Sequence, residues 1–178
     1  MFFELIEKRR SIRKFKPHGI EKEKIDKLIE AALRAPSSRG INPWIFIVVD
    51  DPQLLKKLSK SKPHGASFLK DAPLGIVVCA DSDKSDTWVE DTSIASIFLQ
   101  LAAEALGLGS CWIQMRARDH DDSVTAEAYI QNLLKLPENI KVESVIAMGY
   151  PDETKPCHRI ESLQMEKIFH NKFKRLLM

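Results

Sequence analysis

The chain has 178 residues, 44% hydrophobic and 29% charged, which are the proportions of a soluble globular protein long enough to bury a real core. A net charge of +2, from 27 basic and 25 acidic residues, gives no case for a nucleic-acid partner. Three cysteines, Cys79, Cys111 and Cys157, are widely spaced and form no C-x-x-C pair, which excludes a disulfide framework or a zinc site of the usual spacing and fits a reducing cytoplasm. The first residues, MFFELIEKRRS, lack the apolar centre of a signal peptide, and no apolar run approaches a membrane span. The expectation is one cytoplasmic domain over residues 1–178, with neither membrane nor nucleic acid as a partner.

Residues 2 to 9 read as a short helix with Phe2, Phe3, Leu5 and Ile6 on its apolar side. Its C-terminal end carries Arg9-Arg10-Ser11-Ile12-Arg13-Lys14-Phe15. Taken alone, that stretch has two readings. It is a solvated basic helix end, favoured there by the helix dipole. Or it is a phosphate grip, since guanidinium forks match phosphate oxygens two at a time and a hydroxyl fills a remaining lone pair. Lys16-Pro17-His18-Gly19 breaks the chain, and Ile25, Leu28, Ile29, Ala32 and Leu33 then mark an amphipathic helix over residues 21 to 35.

Ala35-Pro36-Ser37-Ser38-Arg39-Gly40-Ile41-Asn42-Pro43-Trp44 is a loop, because prolines, serines and a glycine stop any helix. It is either a plain turn with Ser37 or Ser38 as local caps, or a source of hydroxyls, an amide and free N–H groups beside the β-branched strand from Ile45 to Val49. Asp51-Pro52 opens a helix running to about Lys60. Residues 62 to 73 are irregular. Leu74 to Ala80 is an unalternating strand, expected to be covered on both faces, with Cys79 a core residue. Trp88 to Leu106 is the longest helix, apolar nearly all round and therefore expected to be central. Leu108 to Ile113 leads into a third strand, residues 122 to 135 form a helix capped by Asp119-His120-Asp121-Asp122, and Val142 to Met148 is a fourth strand. The tail from Leu163 is expected to be helical, with Ile168, Phe169, Phe173 and Leu176 as packing residues. This irregular mixture points to an α+β sandwich with a small sheet.

Several chemistries are excluded by pattern. Gly107-x-Gly109-x-x-Trp112 lacks the third glycine of a dinucleotide fingerprint and runs helix-to-strand, the reverse of the required order. No Gly-Lys-Ser/Thr phosphate loop and no Gly-x-Ser-x-Gly elbow occurs. Asp81 to Asp86 starts like a calcium loop, but Asp86 replaces its glycine and Thr92 its final carboxylate. No metal site and no nucleophile–base pair is visible. A chain with a phosphate grip but no reactive group of its own suits a bound organic cofactor.

Four motifs in register then resemble the FMN-dependent nitroreductase family: Arg-Arg-Ser-Ile-Arg at 9 to 13, Ala-Pro-Ser-Ser followed by Asn42-Pro43-Trp44, Gly107-Leu-Gly-Ser-Cys-Trp-Ile113, and Gly149-Tyr150-Pro151 followed by Arg159. The resemblance implies a three-layer sandwich around a mostly antiparallel sheet, in an intertwined homodimer with FMN at the interface. It implies that Arg9, Ser11 and Arg13, with Arg10 close by, contact the phosphate and ribityl chain, and that Arg159 adds a second cation. Pro36, Ser37, Ser38 and Asn42 would reach the partner's flavin. Trp112, Ile113 and Gln114 would line the isoalloxazine, and a backbone N–H near Gln114 would bond N5. The tail from about Leu163 would embrace the other subunit. The implied activity is ping-pong hydride transfer from NADH or NADPH through FMN to a nitroaromatic, quinone or similar small acceptor, with no catalytic side chain. Non-reductive flavin chemistry, or flavin binding without turnover, are the alternatives. The sequence departs from the family where Gly40 replaces a usual Asn, Asn42 a Gln, Phe98 an Asn and His158 a basic residue, and Met115 stands where some relatives have Gly.

Overall fold

A computed structural model describes residues 2–175. The four apolar runs pair into one antiparallel sheet of β1 (Trp44–Val49), β2 (Leu74–Asp81), β3 (Gly109–Gln114) and β4 (Ile140–Gly149), in the order β1-β2-β4-β3. Strand β2, which showed no alternation, is buried from Leu74 to Ala80, as expected of a strand covered on both faces. On one face, α2 (Lys22–Leu33) and α4 (Trp88–Ala105) pack on Ile76, Val78, Ile146 and Met148. On the other, α3 (Pro52–Leu58), a 3-10 turn at Ser67–Asp71 and α5 (Ala126–Leu134) cover Val77, Cys79, Val145 and Ala147. The result is the three-layer α+β sandwich, with α1 (Phe2–Lys8) on its outside. Cys79 lies in the second core, where burial pushes its thiol up to about 12.

Local chemistry sets the helix ends. The Asp51 carboxylate accepts the Gln53 N–H at 2.8 Å and Pro52 occupies the first turn of α3. Helix α5 begins later than its pattern suggested. Its cap is Thr125, whose hydroxyl accepts the Ala128 N–H at 3.1 Å. The acidic run does not cap it, because Asp121 is engaged in a turn of its own, accepting from the N–H groups of Ser123 (2.8 Å) and Val124 (2.9 Å).

Two expectations are corrected. Helix α4 is central, but it turns Asp91, Thr92, Ser96 and Gln100 inward and leaves Ile94, Ile97 and Phe98 36–38% exposed. Helix α1 likewise buries no residue, and Phe2 and Phe3 lie in the open. The tail is not an α-helix. Among its described residues it forms 3-10 turns at Ile160–Ser162 and Met165–Lys167, and Ile168, Phe169 and Phe173 are exposed; Leu176 lies outside the described residues. A short amphipathic segment with no surface to bury its apolar side lacks the packing that stabilises most helices.

The N-terminal segment closes the fold. Ser11 bridges to Ser110, the Ile12 N–H donates to the Ser110 carbonyl at 2.9 Å, Phe15 bridges to Pro151, and the Lys16 N–H donates to the Tyr150 carbonyl at 2.9 Å. Close approach is permitted by glycine: a Cβ on Gly109 would sit 2.8 Å from Ile12, and one on Gly149 would sit 2.6 Å from Pro73. Gly109→Ala is therefore expected to lower stability by about 1–3 kcal/mol in urea unfolding, through overpacking. Gly19→Ala, which would meet no heavy atom within 4 Å, should change it by less than about 0.5 kcal/mol.

Candidate functional site: a basic recess on the open edge of the sheet

The docked segment and the chain beyond β4 enclose a recess of about 390 Å³ lined by Arg9, Arg10, Ser11, Arg13, Lys155 and His158. Return strand contacts hold it together. The Arg10 guanidinium and the Lys155 ammonium donate to the carbonyls of Pro156 and Ser11 respectively. The Asp152 N–H donates to the Lys14 carbonyl at 2.9 Å, and the His158 N–H to the Glu7 carbonyl at 3.0 Å. Glu153 accepts the Arg13 N–H at 2.5 Å and the Lys14 N–H at 3.2 Å, and its Oε1 lies 3.4 Å from Lys155. The Arg13 N–H, with Lys155 adding to it, holds the Glu153 carboxyl below its ordinary range. One carboxylate among three arginines and a lysine leaves the recess cationic, which suits a dianion. At its back, burial pushes the Cys111 thiol up, against the pull of Arg13, Ser11 and Lys155.

Strand β3 leads away from this recess along the sheet edge. Because the Ser110 carbonyl points outward to Ile12 and the Met115 N–H points inward to the Glu143 carbonyl (3.0 Å), the alternation of an antiparallel edge turns the main-chain groups of Trp112 and Gln114 outward. The Gln114 carbonyl accordingly accepts from the Lys62 ammonium at 2.9 Å. Burial lowers the pKa of Lys62, and the nearby Arg118 lowers it further. Four residues of rise separate Ser110 from Gln114, about 13 Å. An anion grip, a row of outward N–H groups and a half-buried cation thus lie in line.

The side chain of Gln114 is pinned. Its carbonyl accepts from the Trp112 indole N–H at 2.8 Å, and its amide donates to Glu143 at 3.0 Å and to the Arg116 carbonyl at 3.1 Å. Glu143 lies where the β2–β4 register slips, is 3% exposed, and its second oxygen, Oε2, has no partner. Burial raises its pKa, with the Gln114 bond and Arg116 acting the other way.

The other predicted residues are placed elsewhere. The loop after α2 hooks onto α4: the Ser38 N–H donates to Asp91 at 2.7 Å. The Ser37 hydroxyl donates to the Asn42 side chain at 2.7 Å and accepts the Asn42 N–H at 2.8 Å. Arg39, Gly40 and Asn42 all have positive φ, so Gly40 sits in a left-handed stretch that disfavours a side chain. Pro36, Ser37, Ser38 and Asn42 lead into β1 at one edge of the sheet, whereas Ser11, Trp112 and Gln114 lie along β3 at the other edge. Ile113 points into the core between sheet and α5 instead of toward the edge. Arg159 lines a neighbouring apolar groove of about 700 Å³ with Phe3, Ile6 and Leu163, outside the basic recess. Sequence reasoning missed Lys155 and Lys62. The only trace of Lys155 was its place shortly after Gly-Tyr-Pro, and Lys62 stood in a stretch with no pattern at all. No group of three or more metal-ligating side chains occurs among the described residues.

The comparisons agree with this architecture. The Nitroreductase family profile matches residues 6–62 and 59–150, and the chain belongs to that family. An FMN-dependent nitroreductase from Clostridium difficile R20291 is 49% identical with a TM-score of 0.95, covering 96% of this chain and 99% of its own. A Methanothermobacter thermautotrophicus protein with a provisional NADH dehydrogenase/NAD(P)H nitroreductase name is 42% identical over 84% of this chain and 77% of itself. The NADPH:FMN oxidoreductase of Vibrio harveyi, solved with NAD+, is 25% identical with a TM-score of 0.81, over 99% of this chain and 79% of its own.

Glu143 gives a pH test. Its folded pKa lies above its unfolded value, so the native state binds the proton more tightly, and its contribution is lost as pH rises from the unfolded pKa through the raised one. Glu143→Gln keeps the acceptor for Gln114 and cannot ionise. It should raise the melting temperature relative to wild type at pH 8, and raise it less at pH 4, because an unpaired buried charge costs roughly 1–3 kcal/mol. Equal shifts at both pH values would overturn this account.

Proposed function

We propose that this chain is an NAD(P)H-dependent FMN oxidoreductase that acts as a homodimer and passes reducing equivalents to small acceptors such as nitroaromatics or quinones by a ping-pong cycle. The observation that carries the reading is the alignment of the basic recess with the outward edge of β3. The donor set fits the cofactor: Arg9, Arg10, Arg13 and Lys155 match a terminal phosphate, and the Ser11 hydroxyl matches an adjacent oxygen. The outward N–H groups of Trp112 and Gln114 suit the polar edge of a flat heteroaromatic ring. FMN, when bound, supplies the hydride chemistry. The chain's own part is to orient and to exclude water. Gln114, locked by Trp112 and Glu143, holds the edge in place. Lys62, bonded to the Gln114 carbonyl, would bring a cation to that end of the edge, where it would stabilise negative charge on a bound ring. Arg159 serves as an outer cation of the same phosphate, and the Ile113 side chain supports the ring from the core side.

Two features support a dimer. The outward row Ile94, Ile97 and Phe98 on α4, together with Phe2, Phe3 and Leu33, is apolar surface that a second copy would bury. The loop of Pro36, Ser37, Ser38 and Asn42 is remote from the recess in its own chain, so its hydroxyls and amide would serve the partner's cofactor. The exposed tail from Leu163 would lie against the partner. Among the described residues no helix is long and apolar enough to cross a membrane, and all three cysteines are free, which supports the cytoplasmic reading.

The deciding measurement is the absorbance spectrum of the purified protein before and after anaerobic NADH or NADPH, followed by addition of a nitroaromatic. A yellow protein that bleaches and recovers is expected; a protein that stays colourless with added FMN would overturn the reading. Tight flavin binding with no bleaching would instead mark a binding protein without turnover. Arg13→Ala and Lys155→Ala should each weaken FMN binding by about tenfold or more, since each removes a charge-assisted contact. Retained stoichiometric flavin in both variants would remove the phosphate role.

A further inference from the structure

His158 is shared by two spaces at this edge of the sheet. It lines the basic recess beside Arg9, Arg10, Arg13 and Lys155, and it lines the apolar groove beside Glu7, Arg159 and Glu161. No other residue lines both. The main chain there is fixed from two directions. The His158 N–H donates to the Glu7 carbonyl at 3.0 Å, and the Arg10 guanidinium donates to the Pro156 carbonyl just before it. The side chain is not fixed in this way: His158 is exposed, and its imidazole is bonded to none of the described residues. An unengaged ring is thus held at the rim of the recess that the proposed cycle fills with a phosphate.

That ring differs in kind from its neighbours. The arginines and the lysine of the recess stay charged across the physiological range, whereas an imidazole gains or loses its charge near neutral pH. The carboxylate beside the recess, Glu153, is already shared among the N–H groups of Arg13 and Lys14 and the Lys155 ammonium. Glu7 and Glu161 stand on the groove side of His158, with Arg159 beside them. A dianion in the recess therefore adds negative charge on the side where cations predominate. That favours the imidazolium, and the imidazolium in turn gives the anion one more charged donor.

We propose that His158 is a proton-linked ligand of the phosphate in the recess, so that the protein takes up a proton together with its cofactor and holds the cofactor less tightly as pH rises. The proposal rests on the FMN reading above and adds to it a pH dependence set by one residue. A phosphate monoester loses its second proton at about pH 6, so above pH 7 the ligand itself titrates little. The test measures FMN affinity by quenching of flavin fluorescence at pH 7.0 and pH 8.5, for wild type, His158→Gln and His158→Lys. Riboflavin, which lacks the phosphate, is the control. Wild type should bind FMN about fivefold or more tightly at the lower pH, approaching the worth of one charge-assisted contact. Both variants should lose most of this slope, His158→Lys staying tight and His158→Gln weak, and riboflavin should show no slope with any of the three proteins. In the holoprotein, nitrogen NMR of the histidine side chains should show an imidazolium at pH 7.5 that is missing from His158→Gln. The proposal is overturned if wild type shows no slope, if His158→Gln keeps the full slope, or if riboflavin shows the same slope as FMN. A protein that binds no flavin at either pH would remove the proposed function. Calorimetric titration with sulfate, a tetrahedral dianion throughout this range, would then decide His158 alone. Sulfate affinity that falls with pH in wild type and stays level in His158→Gln upholds the proton link, and any other result overturns it.

Discussion

The contact between Ile12 and the start of β3 is the constraint on which the rest depends. Gly109 leaves no room for a side chain, Ile12 fills that space, and the Ile12 N–H bonds to the Ser110 carbonyl. This single approach converts a basic helix end from a solvated feature into one wall of a recess. The β3–β4 ladder fixes which main-chain groups of β3 face outward, and Ile12 docks on the first of them, the Ser110 carbonyl, on the same side as those of Trp112 and Gln114. The phosphate grip and the polar edge are therefore not independent parts. The packing contact of Ile12 sets the grip on an edge whose orientation the β3–β4 ladder provides.

The electrostatics follow the same geometry. Arg9, Arg10, Arg13 and Lys155 gather at the Ser11 end of the β3 edge, while the carboxylate beside them, Glu153, is shared between backbone N–H groups and Lys155, and Glu143 at the other end is buried and raised in pKa. Neither acid neutralises its neighbourhood. A chain with a net charge of only +2 can for this reason present one strongly positive recess.

Much of this was legible in the sequence. The strands were visible as β-branched runs, α2 from its three-and-four spacing, and the start of α3 from Asp51-Pro52, because each is set by local chemistry. The basic cluster of Ser11 and Arg13 had two readings on its own, and only the resemblance pointed to a phosphate role. Lys155 and Lys62 were not legible, since their meaning comes from contacts 144 and 52 residues away along the chain. The resemblance grouped Ile113 with Trp112 and Gln114, and strand alternation sends its side chain to the face opposite Trp112. The helix predicted for the tail failed for a related reason: its apolar residues have periodicity but nothing in their own chain to pack against. The inverted polarity of α4 shows the same effect in a helix that did form.

The recess is assembled from two segments far apart in the chain. Its floor comes from residues 9–13, and its far wall from Lys155 and His158 after the last strand. During synthesis the first wall emerges about 144 residues before the Lys155 that meets it. A nascent chain interrupted anywhere before the return segment would hold its arginines in water, without the enclosure that a tightly held anion requires. Enclosure of such a site therefore waits on the return segment after β4.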